Sequence, residues 1–180
     1  KKLNRYQNYI YNQILAKVSI DKNNTQDVYK YLNLCLKYSS SDSEKINIFN
    51  QFINYSENID DYITLVDNLE KLYDTLEDDR DKKNVKLTAL EFHKINKNYT
   101  YLITEIERLL NLSSFNNKRL FLNLELGKIY YQMNDYSSAK QIFYNLTSDN
   151  SKKKETAEAF YLLAKINIEE SFDFSITKEL

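Results

Sequence analysis

His93 and Cys35 are the sole histidine and the sole cysteine of this 180-residue chain, and they are the first residues to weigh for chemistry. A histidine can carry a proton near neutral pH, and a cysteine can attack as its thiolate. His93 lies in Leu90-Glu91-Phe92-His93-Lys94, beside a turn, and reads as a packed position. Cys35 lies on the apolar stretch Tyr31-Leu32-Asn33-Leu34-Cys35-Leu36 and reads as a small buried side chain. One histidine and one cysteine do not complete a tetrahedral zinc site. Gly127 is the only glycine, so a phosphate-cradling glycine loop is excluded. The acidic run Glu77-Asp78-Asp79-Arg80-Asp81 could meet a hard cation, but it lacks the alternating ligands and glycine of a calcium loop and reads as a solvated connection. The pairs Glu105/Glu107 and Glu169/Glu170 read as exposed helix sides. The expectation is a protein without a catalytic centre, metal or cofactor.

Charge points the same way. The chain carries 25 basic and 26 acidic residues, for a net charge of −1, which argues against nucleic acid as the main ligand. Its one basic run, Lys152-Lys153-Lys154, is followed by Glu155 and Glu158 and reads as a solvated helix start. No apolar run approaches the roughly 18 residues of a membrane span, and no signal peptide is visible. One cysteine forms no internal disulfide, so cysteine usage reports no redox compartment. The chain begins at Lys1 and ends at Leu180 inside a helical pattern, and it reads as a piece of a longer protein. Abundant Lys, Asn, Ile and Tyr suggest an AT-rich genome.

The elements that must carry these residues are helices. There is no proline and one glycine, so β-hairpins lack their usual turn residues. Leu3, Tyr6, Ile10, Ile14 and Val18 recur at helical steps and are expected to form the buried face of the first helix. Polar breaks at 21–24, 39–43, 58–60, 78–83, 96–98, 113–117, 134–135, 148–151 and 170–171 divide the chain into about ten helices. Ser43, Asp135 and Ser151 are expected to cap helix starts. Short connections make successive helices antiparallel neighbours.

One segment carries a motif. Leu126-Gly127, Tyr130, Tyr136, Ala139 and Phe143 match the spacing of a tetratricopeptide repeat: Leu-Gly, an aromatic three residues on, then Ala and Phe four apart in the next helix. Asn123 stands where tryptophan is common and Ser151 where proline is common. The chain therefore resembles this family, clearly over residues 120–180 and by register elsewhere. The small position of the motif is assigned to Ala16, Asn50, Leu90, Gly127 and Ala164. The resemblance implies an all-α fold: a single domain, an α-solenoid of about five antiparallel hairpins over 3–39, 42–77, 82–112, 118–148 and 152–180, wound as a right-handed superhelix. In the fifth hairpin Leu163 and Ala164 fall in the first helix, with Ile176 and Leu180 in a truncated second one.

The resemblance also implies a concave groove lined by the first helix of each hairpin. The side chains assigned to it are Phe121, Leu124, Lys128 and Tyr131 in the fourth hairpin and Glu158, Tyr161, Lys165 and Ile168 in the fifth. Leu87, Glu91 and Lys94 are assigned to it in the third, and Asn47, Gln51 and Asn54 in the second. Rings with lysines and amides suit a peptide, since the rings supply contact area and the polar groups orient the backbone. The function expected is a non-enzymatic scaffold that binds another protein or peptide. The alternatives are a peptide-sensing module of a larger protein, an envelope-associated assembly factor and, last, an all-α enzyme. An unfinished last hairpin leaves an apolar edge, so self-association through residues 157–180 is expected as well.

Overall fold

The computed structural model describes residues 2–148 and 153–176, with side chains up to Ser171. Among them are nine α-helices, one short 3-10 turn and no strand: α1 (Arg5–Asp21), α2 (Thr25–Tyr38), α3 (Asp42–Asn58), α4 (Tyr62–Thr75), α5 (Asp79–Ile95), α6 (Tyr99–Leu110), the turn Ser113–Lys118, α7 (Arg119–Gln132), α8 (Tyr136–Ser148) and α9 (Lys154–Ile176). The described residues are all-α, with consecutive helices packed on one another within each compact unit, as the turn-poor composition predicts.

The turns define the repeat. Asn23, Asp60, Lys97 and Asn134 have φ between 53° and 59°, and they follow one another at intervals of 37 residues. A left-handed residue closes the first helix of each hairpin, a position that Asn and Asp tolerate best after glycine. The next residue starts the second helix. Asn24, Asp61 and Asp135 accept from the backbone N–H groups of Asp27, Thr64 and Ser138, which supplies partners that a helix start lacks. The same interval relates the starts of α1, α3 and α5 and those of α2, α4, α6 and α8. It also fixes the core. Val28, Leu65, Leu102 and Ala139 share one position of the second helix, Leu32, Leu69, Ile106 and Phe143 another, and Cys35, Leu72, Leu109 and Leu146 a third, and all twelve are buried.

The chain divides into two compact units, Lys1–Lys97 and Asn98–Leu180. The boundary lies in the turn after α5, inside the expected hairpin 82–112. In the first unit each helix from α1 to α5 packs on the next. The connection into α5 is held by Asp42 at the start of α3. Its Oδ2 accepts from the backbone N–H groups of Glu77 and Asp78, at 2.8 Å each, and Oδ1 accepts from Lys45 Nζ at 2.9 Å. These donors hold the Asp42 carboxyl at about 2, below the usual carboxylate range. The acidic run here is a helix start, with Asp78 accepting from the N–H groups of Arg80 and Asp81. In the second unit α6 packs on α7, α7 on α8, α8 on α9, and α7 also on α9.

Four expectations change. The cap of α3 is Ser41, not Ser43: Ser41 Oγ accepts from Glu44 N, while the Glu44 carboxylate takes the N–H of Ser40. The break at 170–171 is absent, because α9 runs through it and Ser171 Oγ bonds back to the Asn167 carbonyl. The fifth hairpin's second helix therefore does not begin before Ile176, while Leu180 and the Ser151 cap lie outside the described residues. The small position in α3 is Ile53, not Asn50, since the 37-residue interval runs Ala16, Ile53, Leu90, Gly127, Ala164. Finally, the apolar stripe of α1 faces outward: Leu3, Tyr6, Ile14 and Val18 are exposed, and α2 covers Tyr9, Asn12, Ala16 and Ser19 instead. Buried Asn12 and Ser19 bond to the carbonyls of Asn8 and Leu15 in their own helix, which removes the penalty of burying them.

Gly127 meets the buried ring of Phe143. A methyl group placed on Gly127 would lie 2.9 Å from ring atoms Cδ1 and Cζ and closer still to Cε1. Gly127→Ala is expected to destabilise the protein by about 1–3 kcal/mol through overpacking, despite the gain of about 1 kcal/mol in helix propensity. Urea unfolding checks this. In a Phe143→Leu background the same change is expected to be neutral or stabilising.

Candidate functional site

The side chains assigned to a binding face meet most closely on α7 and α9, in the second unit. Lys128 of α7 sits between two carboxylates, 2.9 Å from Glu125 Oε1 and 2.6 Å from Glu158 Oε1 of α9. Burial works against its charge, but the hydrogen bonds the ammonium donates to Glu158 and Glu125 outweigh it and hold its pKa above the ordinary lysine value. One turn on, the Tyr131 hydroxyl donates to Glu169 Oε1 at 2.7 Å, and Lys165 Nζ lies 5.1 Å from the centre of the Tyr131 ring. Tyr131, and more weakly Glu169, raise the Lys165 pKa. The Tyr136 ring lies 5.7 Å from that of Tyr131. This is a fixed row of alternating charges and rings, with the exposed ring of Tyr161 beside it on α9.

The other assignments fare differently. Phe121 is half-buried. Leu124 is buried, within the cluster of Ala139, Phe143, Leu162 and Ile166, so it belongs to the core and not to a face. In the first unit Glu91 is exposed on α5 with Lys94 3.5 Å away, and Asn54 is exposed on α3. Gln51 is assigned wrongly. By the 37-residue register it matches Thr88 and Glu125, and the α3 residue that matches Leu87, Leu124 and Tyr161 is the exposed Asn50. The two sets lie on different units. Among the motif residues, Leu126, Gly127, Ala139 and Phe143 are buried, while Tyr130 and Tyr136 are half-buried against the same core.

Glu158 was assigned to this face; the carboxylates Glu125 and Glu169, which help hold it together, were not. The three-residue spacing of Glu125 and Lys128 was the available signal. A second polar cluster was also unassigned. Lys86 of α5 is buried, 2.5 Å from Glu70 Oε2 of α4 and 4.7 Å from the centre of the Tyr73 ring. His93 is 8% exposed with Nε2 3.7 Å from Glu70 Oε1, so the histidine is packed, and this cluster ties α4 to α5. Cys35 is fully buried, and burial pushes its thiol up to about 12, leaving it protonated and unreactive at neutral pH. Among the described residues no group of three His, Cys, Asp or Glu side chains is placed to hold a metal ion, and no helix is long and apolar enough to cross a membrane.

The described residues also form two surface clefts. One, of about 280 Å³, runs along the outer side of α1 between Leu3, Tyr6, Gln7, Ile10, Tyr11 and Ile14. The other, of about 210 Å³, lies between α7 and α8, lined by Leu120, Asn123, Ile142, Asn145 and Leu146.

Removing Lys128 takes from the nearly buried Glu125 carboxylate an ion-pair partner 2.9 Å away. Lys128→Met is expected to cost about 1–3 kcal/mol at neutral pH, with part of the loss restored by adding Glu125→Gln. The sign with pH follows from the raised pKa. The Lys128 contribution is complete below the ordinary lysine value of about 10.4 and is lost as pH rises through the folded value, so the cost of Lys128→Met shrinks in strongly alkaline buffer. Denaturant unfolding at both pH values measures it.

Compared with known proteins, the chain matches no family model, no curated protein and no solved structure.

Proposed function

We propose that this chain is a non-enzymatic docking module, similar to tetratricopeptide proteins, which binds a segment of another protein along the face that α7 and α9 make in its second unit. The observation that carries the reading is the α7–α9 row, in which Lys128, Tyr131 and Lys165 are held by Glu125, Glu158 and Glu169 beside the exposed Tyr161 ring. Side chains already fixed in place lose little freedom when a partner binds, so more of the contact energy appears as affinity. Exposed aromatic rings near lysines suit an extended segment whose backbone and carboxylates the polar groups orient. The near-zero net charge and the sequence match at Leu126, Gly127, Tyr130, Ala139 and Phe143 support the same reading. Self-association through the outer side of α9 is part of this proposal.

Affinity capture from a lysate of the source cell tests the docking face. The bait is run beside Tyr161→Ala/Lys165→Ala, two exposed positions whose replacement leaves the core intact. The expected result is a protein retained by the parent and reduced at least tenfold with the variant, at unchanged helix content. Equal retention by both would overturn the assignment to this face.

A further inference from the structure

At four positions α1 departs from the repeat it belongs to. Leu3, Tyr6, Ile10 and Ile14 stand in the 37-residue register with Ser40, Ser43, Asn47 and Gln51 at α3, and with Glu77, Arg80, Asn84 and Thr88 at α5. In the second unit the same positions hold Ser114, Asn117, Phe121 and Glu125. The packing of one hairpin on the next therefore does not ask for apolar side chains there. Yet α1 carries four of them in a row, with Tyr6 65% and Ile14 58% exposed. Tyr11, 52% exposed, and Val18 widen the stripe. Leaving such groups in water forgoes the free energy of burying them, and a contiguous exposed stripe of this kind marks a contact surface.

The shape of the stripe narrows what it meets. The trough along it is lined by Leu3, Tyr6, Gln7, Ile10, Tyr11 and Ile14, all of them residues of α1. Among the described residues no second helix walls it. A docked protein segment is held in a pocket or groove with walls on both sides. A bilayer surface needs only an apolar side rimmed by cations.

Charge narrows it further. Residues 1–38 carry seven Lys and Arg against Asp21 and Asp27, a net charge of +5, while the rest of the chain carries eighteen against twenty-four, a net charge of −6. On α1 itself, exposed Lys17 follows Ile14 by three residues and exposed Lys22 follows Val18 by four, which sets both beside the stripe. Lys2 precedes Leu3 at its start. Arg5 is engaged elsewhere, donating to the carbonyls of Tyr38 and Ser39. Asp21 is the one acid of this helix. The other exposed apolar stripe, Phe160 and Ile168 on α9, lies on a helix with Glu155, Glu158, Glu169, Glu170 and Asp173 against Lys154 and Lys165, so an anionic surface repels it.

We infer that α1 docks the first unit on a membrane surface that carries anionic lipid. The helix lies in the plane of the interface and does not cross it. Leu3, Tyr6, Tyr11 and Ile14 enter the boundary between headgroups and acyl chains, where a tyrosine keeps its ring in apolar surroundings and its hydroxyl wet. Lys17 and Lys22 reach the lipid phosphates along their apolar stems. The inference does not rest on the docking-module reading: its residues lie in the first unit and Tyr161 and Lys165 in the second, so each can fail alone.

Flotation of the whole chain with vesicles tests it. One set is equal parts phosphatidylserine and phosphatidylcholine, the other phosphatidylcholine alone. The parent is expected to float with the anionic vesicles, at least tenfold better than with the neutral ones, and less so as salt is raised. Tyr6→Ser/Ile14→Ser is expected to lose at least tenfold in binding at unchanged helix content, and Tyr6→Ser alone stands in if the pair unfolds. Lys17→Gln and Lys22→Gln are each expected to weaken binding about fivefold at low salt. Asp21→Asn is expected to strengthen it, which a merely structural role would not do. A parent that stays behind with both sets overturns the inference, as does equal flotation of the parent and Tyr6→Ser/Ile14→Ser. Sedimentation without lipid covers the other occupant: self-association lost in Tyr6→Ser/Ile14→Ser, with no flotation of the parent, would give the stripe to a second copy and overturn it too.

Discussion

A helix that is apolar on two sides must be covered twice, and this requirement organises the protein. A second helix can cover one side only if the turn between them reverses the chain tightly. The turn is made by one left-handed residue, Asn23, Asp60, Lys97 or Asn134, followed by a residue that starts the next helix. The other side needs the preceding second helix, which is why the 37-residue interval holds through helix starts, caps and core positions alike. At Gly127, where the Phe143 ring packs directly against the helix, the side chain is reduced to hydrogen so that the ring can fit.

The same requirement explains what could be read from the sequence. Leu126, Gly127, Tyr130, Ala139 and Phe143 were legible because they serve a contact that only those sizes satisfy, and Asp135 because a helix start needs an acceptor. The outer stripe of α1 misled because periodicity reports that a helix has an apolar side, not which side its neighbour takes. Tyr9, Asn12, Ala16 and Ser19, the side α2 covers, carry small and polar groups whose hydrogen bonds close within their own helix. In α3 the nearly uniform polarity of Asn47, Asn50, Gln51 and Asn54 left the register free to slip, and Asn50 and Gln51 were assigned the wrong sides. The helix α9 passes through Glu170 and Ser171 because neither residue stops a helix without glycine or proline to assist.

Of the candidate face, the rings, the lysines and Glu158 were legible, and the carboxylates Glu125 and Glu169 were not. Lys128 and Tyr131 follow from the repeat register alone. Their partners Glu158 and Glu169 lie on α9, 30 and 38 residues away, and only the packing of α7 on α9 brings them within hydrogen-bond reach. The ordered polar row and the exposed apolar stripes are thus two outcomes of one arrangement: covered sides become core or fixed ion pairs, and uncovered sides stay exposed.

Splicing the repeat tests its register most directly. Removal of residues 32–68, one full 37-residue interval, joins Tyr31 to Leu69 inside a second helix and keeps every side aligned. Removal of residues 32–66 joins Tyr31 to Asp67 and turns the later half by about 200°. The register account predicts that the first deletion folds, with native helix content per residue and one cooperative urea transition, and that the second does not. Two deletions that fold equally well, or a first deletion that is unfolded, would contradict it.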